Sequence, residues 1–361
     1  MDKSAKNLVE SVLGLPTMSF FETAPATFVR CYAEGLGLEV LEDPVGNVIV
    51  NYGDKLKPGI TFNAHLDHPG FEVVEAKGKT GRVALWGRVD SDCFRGAKVI
   101  IHTSEETVAG RILKGPLPEK HLGKNCFSIE AEKEIFAGDF GYYDLPAIKF
   151  SGDRIYARAA DNLMSVAAIL ELLTRLVEKK ARARVTGLFT RGEEAGFLGA
   201  FGAMENKSVS KSAPLIVLEC SSASGGGVSF GDGPVIRSGD LQSTYDPSIE
   251  AWLADCAAEL AKENNKFQFQ RALLKGGRCE ACAYIAYGYK TGGIALPLGN
   301  YHNHGPKGPA AEYVQAKDYL NMVLLMEELV KNPMKNDFLL RKTEPIRKNY
   351  LKLRKKLMES R

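Results

Sequence analysis

The 361-residue sequence has no uninterrupted apolar run approaching the roughly 20 residues that span a bilayer. Its opening stretch, MDKSAKNLVESVLG, lacks the apolar region and small-residue cleavage site of a secretory signal. These absences predict a cytoplasmic protein. The seven cysteines are odd in number and scattered, which argues against a disulfide framework. Histidine is scarce, with six residues in all. An overall charge excess is missing too: the formal net charge is +3. That small total hides an asymmetry. Residues 341–361 (RKTEPIRKNYLKLRKKLMESR) hold nine Lys/Arg against two Glu, and removing this +7 leaves −4 for the rest. A uniformly basic nucleic-acid binder is thereby excluded, and neither a nucleic-acid nor a membrane partner is expected. The tail reads as a solvated terminal helix; the other reading is a docking or nucleic-acid-attracting arm.

What is present is ordinary for a globular protein: 45% hydrophobic and 25% charged residues. The length fits one large or two medium domains. Apolar spacing predicts helices over 5–13 and 25–36, a turn at 45–47, and strands over 48–52 and 59–64. From about 71 to 155 the chain changes to short alternating runs such as FEVVEA, GRVALWGRV and AKVIIHT, with one brief helical candidate near 130–137. This pattern predicts a small all-β, barrel-like domain. After Asp161, helix and strand alternate: helix 162–179, strand 184–190, helix 197–205, strand 214–219 and a Gly-rich turn at 225–227. Helices at 247–264 and 279–287, a strand at 292–298 and a long helix at 311–331 follow. The fold class is therefore a layered α/β domain made of 1–70 and 156–337. Residues 71–155 interrupt it as an inserted β domain, and 338–361 form a basic tail.

Four histidines sit in two tight pairs, His65 with His68 in NAHLDHPG and His302 with His304 in YHNHGP. Between the pairs lie Asp161, the doublet Glu193-Glu194, and Glu219. Imidazole plus carboxylate suits zinc and its first-row neighbours. Two histidines with three or more carboxylates exceed the needs of one zinc. They suit two metals sharing a bridging carboxylate, an arrangement that activates water for hydrolysis. These residues also share a placement. His65 follows strand 59–64, the Glu doublet follows strand 184–190, Glu219 ends strand 214–219, and His302 follows strand 292–298. Asp161 opens a helix. In open α/β sheets, ligands gather beyond the carboxyl ends of the strands. Any one of these residues alone is an ordinary core or surface residue; five at successive strand ends point to a metal site.

These segments resemble the dinuclear tetrahedral (TET) or glutamyl aminopeptidases, also described as endoglucanase-like. HLDHPG at 65–70 resembles their HxDExG, AADN at 159–162 their ALDD, and RGEEAGFLGA at 191–200 their QEEVGLRGA. Further on, GDGPVIRSGD at 231–240 is similar to GKGPVI, GGRCEACA at 276–283 to GGTDAGA, and LPLGNYHNHGP at 296–306 to IPxRYxHSP. The likeness runs from the start to about residue 330, insertion included. It implies two divalent metals per chain, zinc or cobalt, in a cytosolic enzyme removing N-terminal residues from peptides. One metal would be held by His65, Asp161 and Glu219, and the other by Asp161, Glu194 and His302. Glu193 would be the general base and Asp67 would orient His65. The resemblance also implies a homo-oligomer, dimer to dodecamer, built through the inserted domain.

The departures concern mainly the substrate. Asn162 and Leu163 replace an Asp and an Arg, Glu219 replaces an Asp, and Gly299-Asn300 replaces Arg-Tyr. His304 competes with His302 as ligand, and motif register favours His302. His68 stands where the family has Glu and reads as lining the pocket or as structural. Glu280 stands at the family's Asp and joins the candidates around the ligands. Cys279 and Cys282 form a CxxC without a second pair, a structural feature rather than a zinc or redox motif. His102 and His121 read as surface residues. Other functions compatible with the ligands are a carboxypeptidase or N-deacylase of the same dinuclear chemistry, and a non-catalytic scaffold. Glycoside hydrolysis needs two carboxylates free of metal, whereas these are expected to be committed to metals, so it is not the expected activity.

Overall fold

The computed structural model describes residues 1–54, 59–223, 227–275, 277–335 and 337–360. Two turn residues, Gly225 and Gly226, lie outside that description, as does Gly276.

Among the described residues, an eight-stranded sheet forms the centre. Its order is Glu39–Glu42, Val48–Gly53, Arg184–Thr190, Gly59–His65, Leu215–Ser222, Thr291–Leu298, Val235–Gly239 and Gln270–Leu273. The four strands from Arg184–Thr190 to Thr291–Leu298 run parallel. Their side chains are buried on both faces, as parallel strands covered by helices require. The helix Ala160–Glu178 is the most deeply buried and packs between Lys3–Leu13, Ala316–Lys331 and the sheet. Leu163, Val166, Leu170 and Leu173 are fully enclosed there. On the opposite face, Leu198–Glu205 and Glu280–Ala286 cover a smaller core around Leu188, Val217 and Tyr284. Glycine is required at Gly53, where φ is +89° and a Cβ would stand 1.8 Å from the Ala183 carbonyl.

Between Gly70 and Tyr143 six antiparallel strands close on themselves. Thr80–Trp86 pairs with both Gly70–Lys77 and Lys124–Ala131, which joins the ends of the sheet. Phe71, Phe94, Phe127 and Ile129 fill the interior. The next hairpin, Ile148–Ser151 and Arg154–Ala157, pairs with Glu312–Gln315 of the α/β core.

Two expected helices are corrected. Residues 130–137 contain helix formers, but the strand Lys124–Ala131 runs through their start. Phe127, Ile129 and Ala131 alternate inward there, and cross-strand pairing with Thr80–Ala84 overrides local propensity. The long helix begins at Ala316 rather than 311, because Glu312 and Val314 alternate inward in a strand paired with Arg154–Ala157. The strand carrying Glu219 extends to Ser222, held along its whole length by Thr291–Leu298. No helix among the described residues is long and apolar enough to cross a membrane.

Candidate metal centre

The parallel strands deliver the ligand candidates to one place. His65 is the last residue of Gly59–His65, and Glu193 and Glu194 stand just beyond Arg184–Thr190. Glu219 projects from Leu215–Ser222, and His302 follows Thr291–Leu298. Asp161 opens the buried helix. His65, Asp161 and Glu219 bring ligand atoms within 4.8 Å of one another, and so do Asp161, Glu194 and His302. Asp161 belongs to both groups. Its Oδ1 lies 3.5 Å from His65 Nε2, and its Oδ2 lies 3.9 Å from His302 Nε2. Glu194 Oε1 lies 2.9 Å from His302 Nε2, and Glu219 Oε2 lies 3.8 Å from His65 Nε2.

Divalent cations fit this donor set. Asp161 Oδ1 is buried without a hydrogen-bond partner, and burying an unpaired carboxylate oxygen is costly. Two imidazoles and three carboxylates converge on it, the chemistry of zinc and its neighbours.

Around these residues, two more carboxylates hold the backbone. Asp67 accepts the Glu193 amide at 2.9 Å, the Glu194 amide at 3.1 Å and the Ser19 hydroxyl at 2.7 Å. Asp67 also lies 3.5 Å from His65 Nδ1. Glu312 accepts the Asp161 amide at 2.9 Å and the His302 amide at 2.8 Å. His302 itself sits in the left-handed region, with φ at 52°. Its Nδ1 donates to the Arg88 carbonyl at 2.7 Å, which turns Nε2 toward the carboxylates.

The crowding shows in the ionisation of the site. Burial, then the charge of Glu219, pushes Asp161 up to about 6 against the opposing His65. Burial raises Glu193 well above the usual carboxylate range; His65 opposes the rise, and Glu194, Glu219 and Glu280 add to it. Burial disfavours charge on both imidazoles, but their carboxylates outweigh it. His302 rises to about 9 through Glu194, and His65 well above its ordinary value, chiefly through Glu193. Burial works against the Asp67 charge as well, and hydrogen bonds from His65 and Ser19 overcome it, so Asp67 stays below the usual range.

The remaining candidates separate. His68 is buried, with Nδ1 on the Asp161 carbonyl and Nε2 on Asn303 Oδ1 at 3.1 Å. It supports Asp161 from behind. His304 turns away: its Nε2 accepts the Asp90 amide at 3.0 Å, and the ring lines the cavity. Glu280 is fully buried, accepts the Thr190 hydroxyl at 2.9 Å, and is pushed up to about 8 by burial. Cys279 and Cys282 are free thiols, and Cys279 Sγ lies 3.1 Å from the Tyr245 hydroxyl. In the barrel, His102 is half-buried against the Tyr142 hydroxyl rather than at the surface.

Three residues went unassigned in the sequence. Glu312 had no signal beyond an acid in a strand-like EYVQ, and the Arg88 contribution is a main-chain carbonyl. Arg237 stood inside the quoted GPVIRSG run, where a charge in an apolar strand is the available clue. The Arg237 guanidinium is buried, lines the cavity of about 760 Å³ beside the ligands, and leaves Nη1 without a partner. It can receive an anionic group.

A family model for M42 glutamyl aminopeptidase matches residues 126–325, more than half of the chain. The chain belongs to that family. It is a metal-dependent aminopeptidase, a hydrolase of peptide bonds. Solved aminopeptidases share its fold. The TET aminopeptidase of a Thaumarchaeota archaeon is 20% identical with a TM-score of 0.77, covering 92% of this chain and 98% of its own. An aminopeptidase of Desulfurococcus kamchatkensis is 21% identical with a TM-score of 0.76, covering 92% and 95%. Pyrococcus horikoshii TET1, described as assembling into a tetrahedron or a large octahedral shell, is 21% identical with a TM-score of 0.75, covering 90% and 99%.

The loop carrying the Glu doublet depends on a close approach at Gly199. A Cβ there would come within 2.5 Å of Arg191 N and O and 2.6 Å of Asn47 Oδ1. Asn47 clamps this point by accepting the Arg191 amide at 3.1 Å and donating to the Gly199 carbonyl at 2.8 Å. Gly199→Ala in the aminopeptidase should therefore cost about 1–3 kcal/mol in denaturant unfolding. Turnover should fall as well, because the loop must shift; unchanged stability would show that the clamp gives way freely.

Proposed function

We propose that this aminopeptidase works with two divalent cations, zinc or cobalt, that share Asp161. One would be held by His65, Asp161 and Glu219, the other by Asp161, Glu194 and His302. The observation that carries the reading is the double membership of Asp161, whose two oxygens face different imidazoles. Bound there, such cations would polarise the scissile carbonyl and acidify an attacking water.

The protein's own part follows from the doublet. Glu194 is turned onto His302, while Glu193 is buried beside the cavity with its amide pinned by Asp67. Glu193 takes the proton from the attacking water and passes it to the leaving amine. Asp67 keeps His65 oriented, and His68 and Glu312 keep Asp161 in place. Peptides are the substrates, and the exposed Lys275 and Arg278 line the cavity together with His304. Free cysteines fit a reducing, cytoplasmic setting.

We read residues 71–155 as the inserted domain, 1–70 with 156–337 as the catalytic one, and the insertion as the means of homo-oligomerisation. Leu122 and Phe136 stand exposed on the barrel, and the Pyrococcus horikoshii peptidase assembles as a shell. A chain with 71–155 replaced by a short linker should scatter light as a smaller species; an oligomer of unchanged order would contradict this role.

Titration of chelated protein with zinc or cobalt, read by hydrolysis of an aminoacyl anilide, should saturate at about two equivalents. Full activity at one equivalent would remove the shared-Asp161 arrangement. Glu193→Gln should retain the metals and lose about 10²–10⁴-fold in turnover, since an amide accepts no proton at neutral pH. Wild-type turnover in that variant would reassign the base.

A further inference from the structure

The helix Phe338–Glu359 has no buried residue among those described. Its base is anchored: Phe338 packs against the main core, and Lys342 pairs with Asp255 on another helix. Beyond that anchor the helix stands free. Leu339, Ile346, Tyr350, Leu353 and Leu357 recur at spacings of three, four or seven, which puts them in one stripe along the helix. Ile346 is 73% exposed, Leu357 64% and Leu353 51%. The same geometry sets Arg347 and Arg354 along one edge of the stripe, and Lys342 and Lys356 along the other. Residues 338–359 hold eight Lys/Arg against two Glu. Lys348, Lys352, Arg354 and Lys356 make no ion pair with the described residues, whereas Arg347 and Lys355 reach Glu344 and Glu359.

Tertiary packing, the main source of helix stability in proteins, is missing along this helix, and Pro345 removes one of its backbone bonds. A continuous apolar stripe asks for an apolar counter-surface, and cations along both edges ask for anions beside it. The surface of an anionic bilayer supplies both at once: acyl chains under the stripe and phosphates level with its edges. A second copy of this helix would bring the same charge and repel. A nucleic acid would meet the cations and leave the stripe in water. With no helix among the described residues able to span, the contact is along the surface.

We propose that Phe338–Glu359 docks the aminopeptidase on anionic lipid, with Ile346, Tyr350, Leu353 and Leu357 inserted and Arg347, Arg354 and Lys356 at the phosphates. This revises the expectation of no membrane partner. The basic tail is plain in the sequence; that its charges border an uncovered apolar stripe is a finding of the structure. The inference does not rest on the metal assignments.

The test is co-sedimentation of the full chain, and of a chain ending at residue 340, with large vesicles. One set is phosphatidylcholine alone, and the other contains about one quarter phosphatidylserine. The full chain should bind the serine vesicles about tenfold better than the neutral ones and lose that binding at high salt. The truncated chain should not bind. A double variant, Ile346→Asp with Leu353→Asp, should lose about tenfold with its cations intact. Peptide hydrolysis, unchanged in every form, reports that the enzyme is folded. Equal binding by the truncated chain overturns the proposal, as does undiminished binding by the double variant, which would leave charge attraction alone. Tighter retention of single-stranded RNA than of the vesicles also overturns it. So does an oligomer that dissociates on truncation, because the stripe would then be covered by another copy.

Discussion

Burying so many acids in one place is the constraint on which this structure turns. Asp67, Asp161, Glu193, Glu219, Glu280 and Glu312 are all buried around His65 and His302. Each charge taken out of water costs several kcal/mol unless it is paired or hydrogen-bonded. The protein answers in two ways. Asp67 and Glu312 spend their oxygens on backbone amides and a hydroxyl, so they are satisfied by the fold itself. Asp161 is left with a bare oxygen, and only a cation or a proton resolves it.

The two amide-bound carboxylates also explain how distant segments stay in register. Glu312 holds the backbones of Asp161 and His302 together, and Asp67 ties the backbone of the Glu doublet to the ring of His65. Each loop is then tied outward. Glu22 accepts the Gly192 amide at 3.0 Å and the Arg191 Nε at 2.9 Å, while Asn47 binds Gly199. The barrel takes part as well, since the Arg88 carbonyl fixes the His302 ring. The inserted segment therefore reaches into the centre through a main-chain oxygen.

What was legible in the sequence is what a parallel sheet makes legible. His65, the Glu193-Glu194 doublet, Glu219 and His302 each sit at or just past a buried strand, and such strand ends meet in space whatever their sequence separation. Asp161 was legible as the acid opening a buried helix. Glu312 was hidden because its role is to bind amides across the chain, which no spacing announces. The same residue exposes why the helix at 311–331 was overextended: alternating burial over four residues is too short to outvote the helical period that follows. Near 130–137, helix-forming acids and lysines masked the end of the strand Lys124–Ala131, which cross-strand partners impose, and the irregular stretch after it. His68 and His304 are equivalent in composition and opposite in role. Burial against the Asp161 carbonyl separates them, and burial is a property of the fold.

Glu280 is the acid that neither the amides nor the shared-cation reading absorbs. It is fully buried on a short helix, with the Thr190 hydroxyl on one oxygen and no partner on the other. Burial lifts it to about 8, so it carries its proton at neutral pH. A neutral carboxylic acid costs far less to enclose than a carboxylate. That difference lets a further acid stand behind Thr190 and Asn63, whose Nδ2 donates to the Thr190 hydroxyl at 3.1 Å, without adding negative charge to the cluster. Asp67, by contrast, keeps its charge because His65, Ser19 and the amides of the Glu doublet all favour it. For Glu280 the Thr190 hydroxyl and the charge of His65 do not outweigh burial.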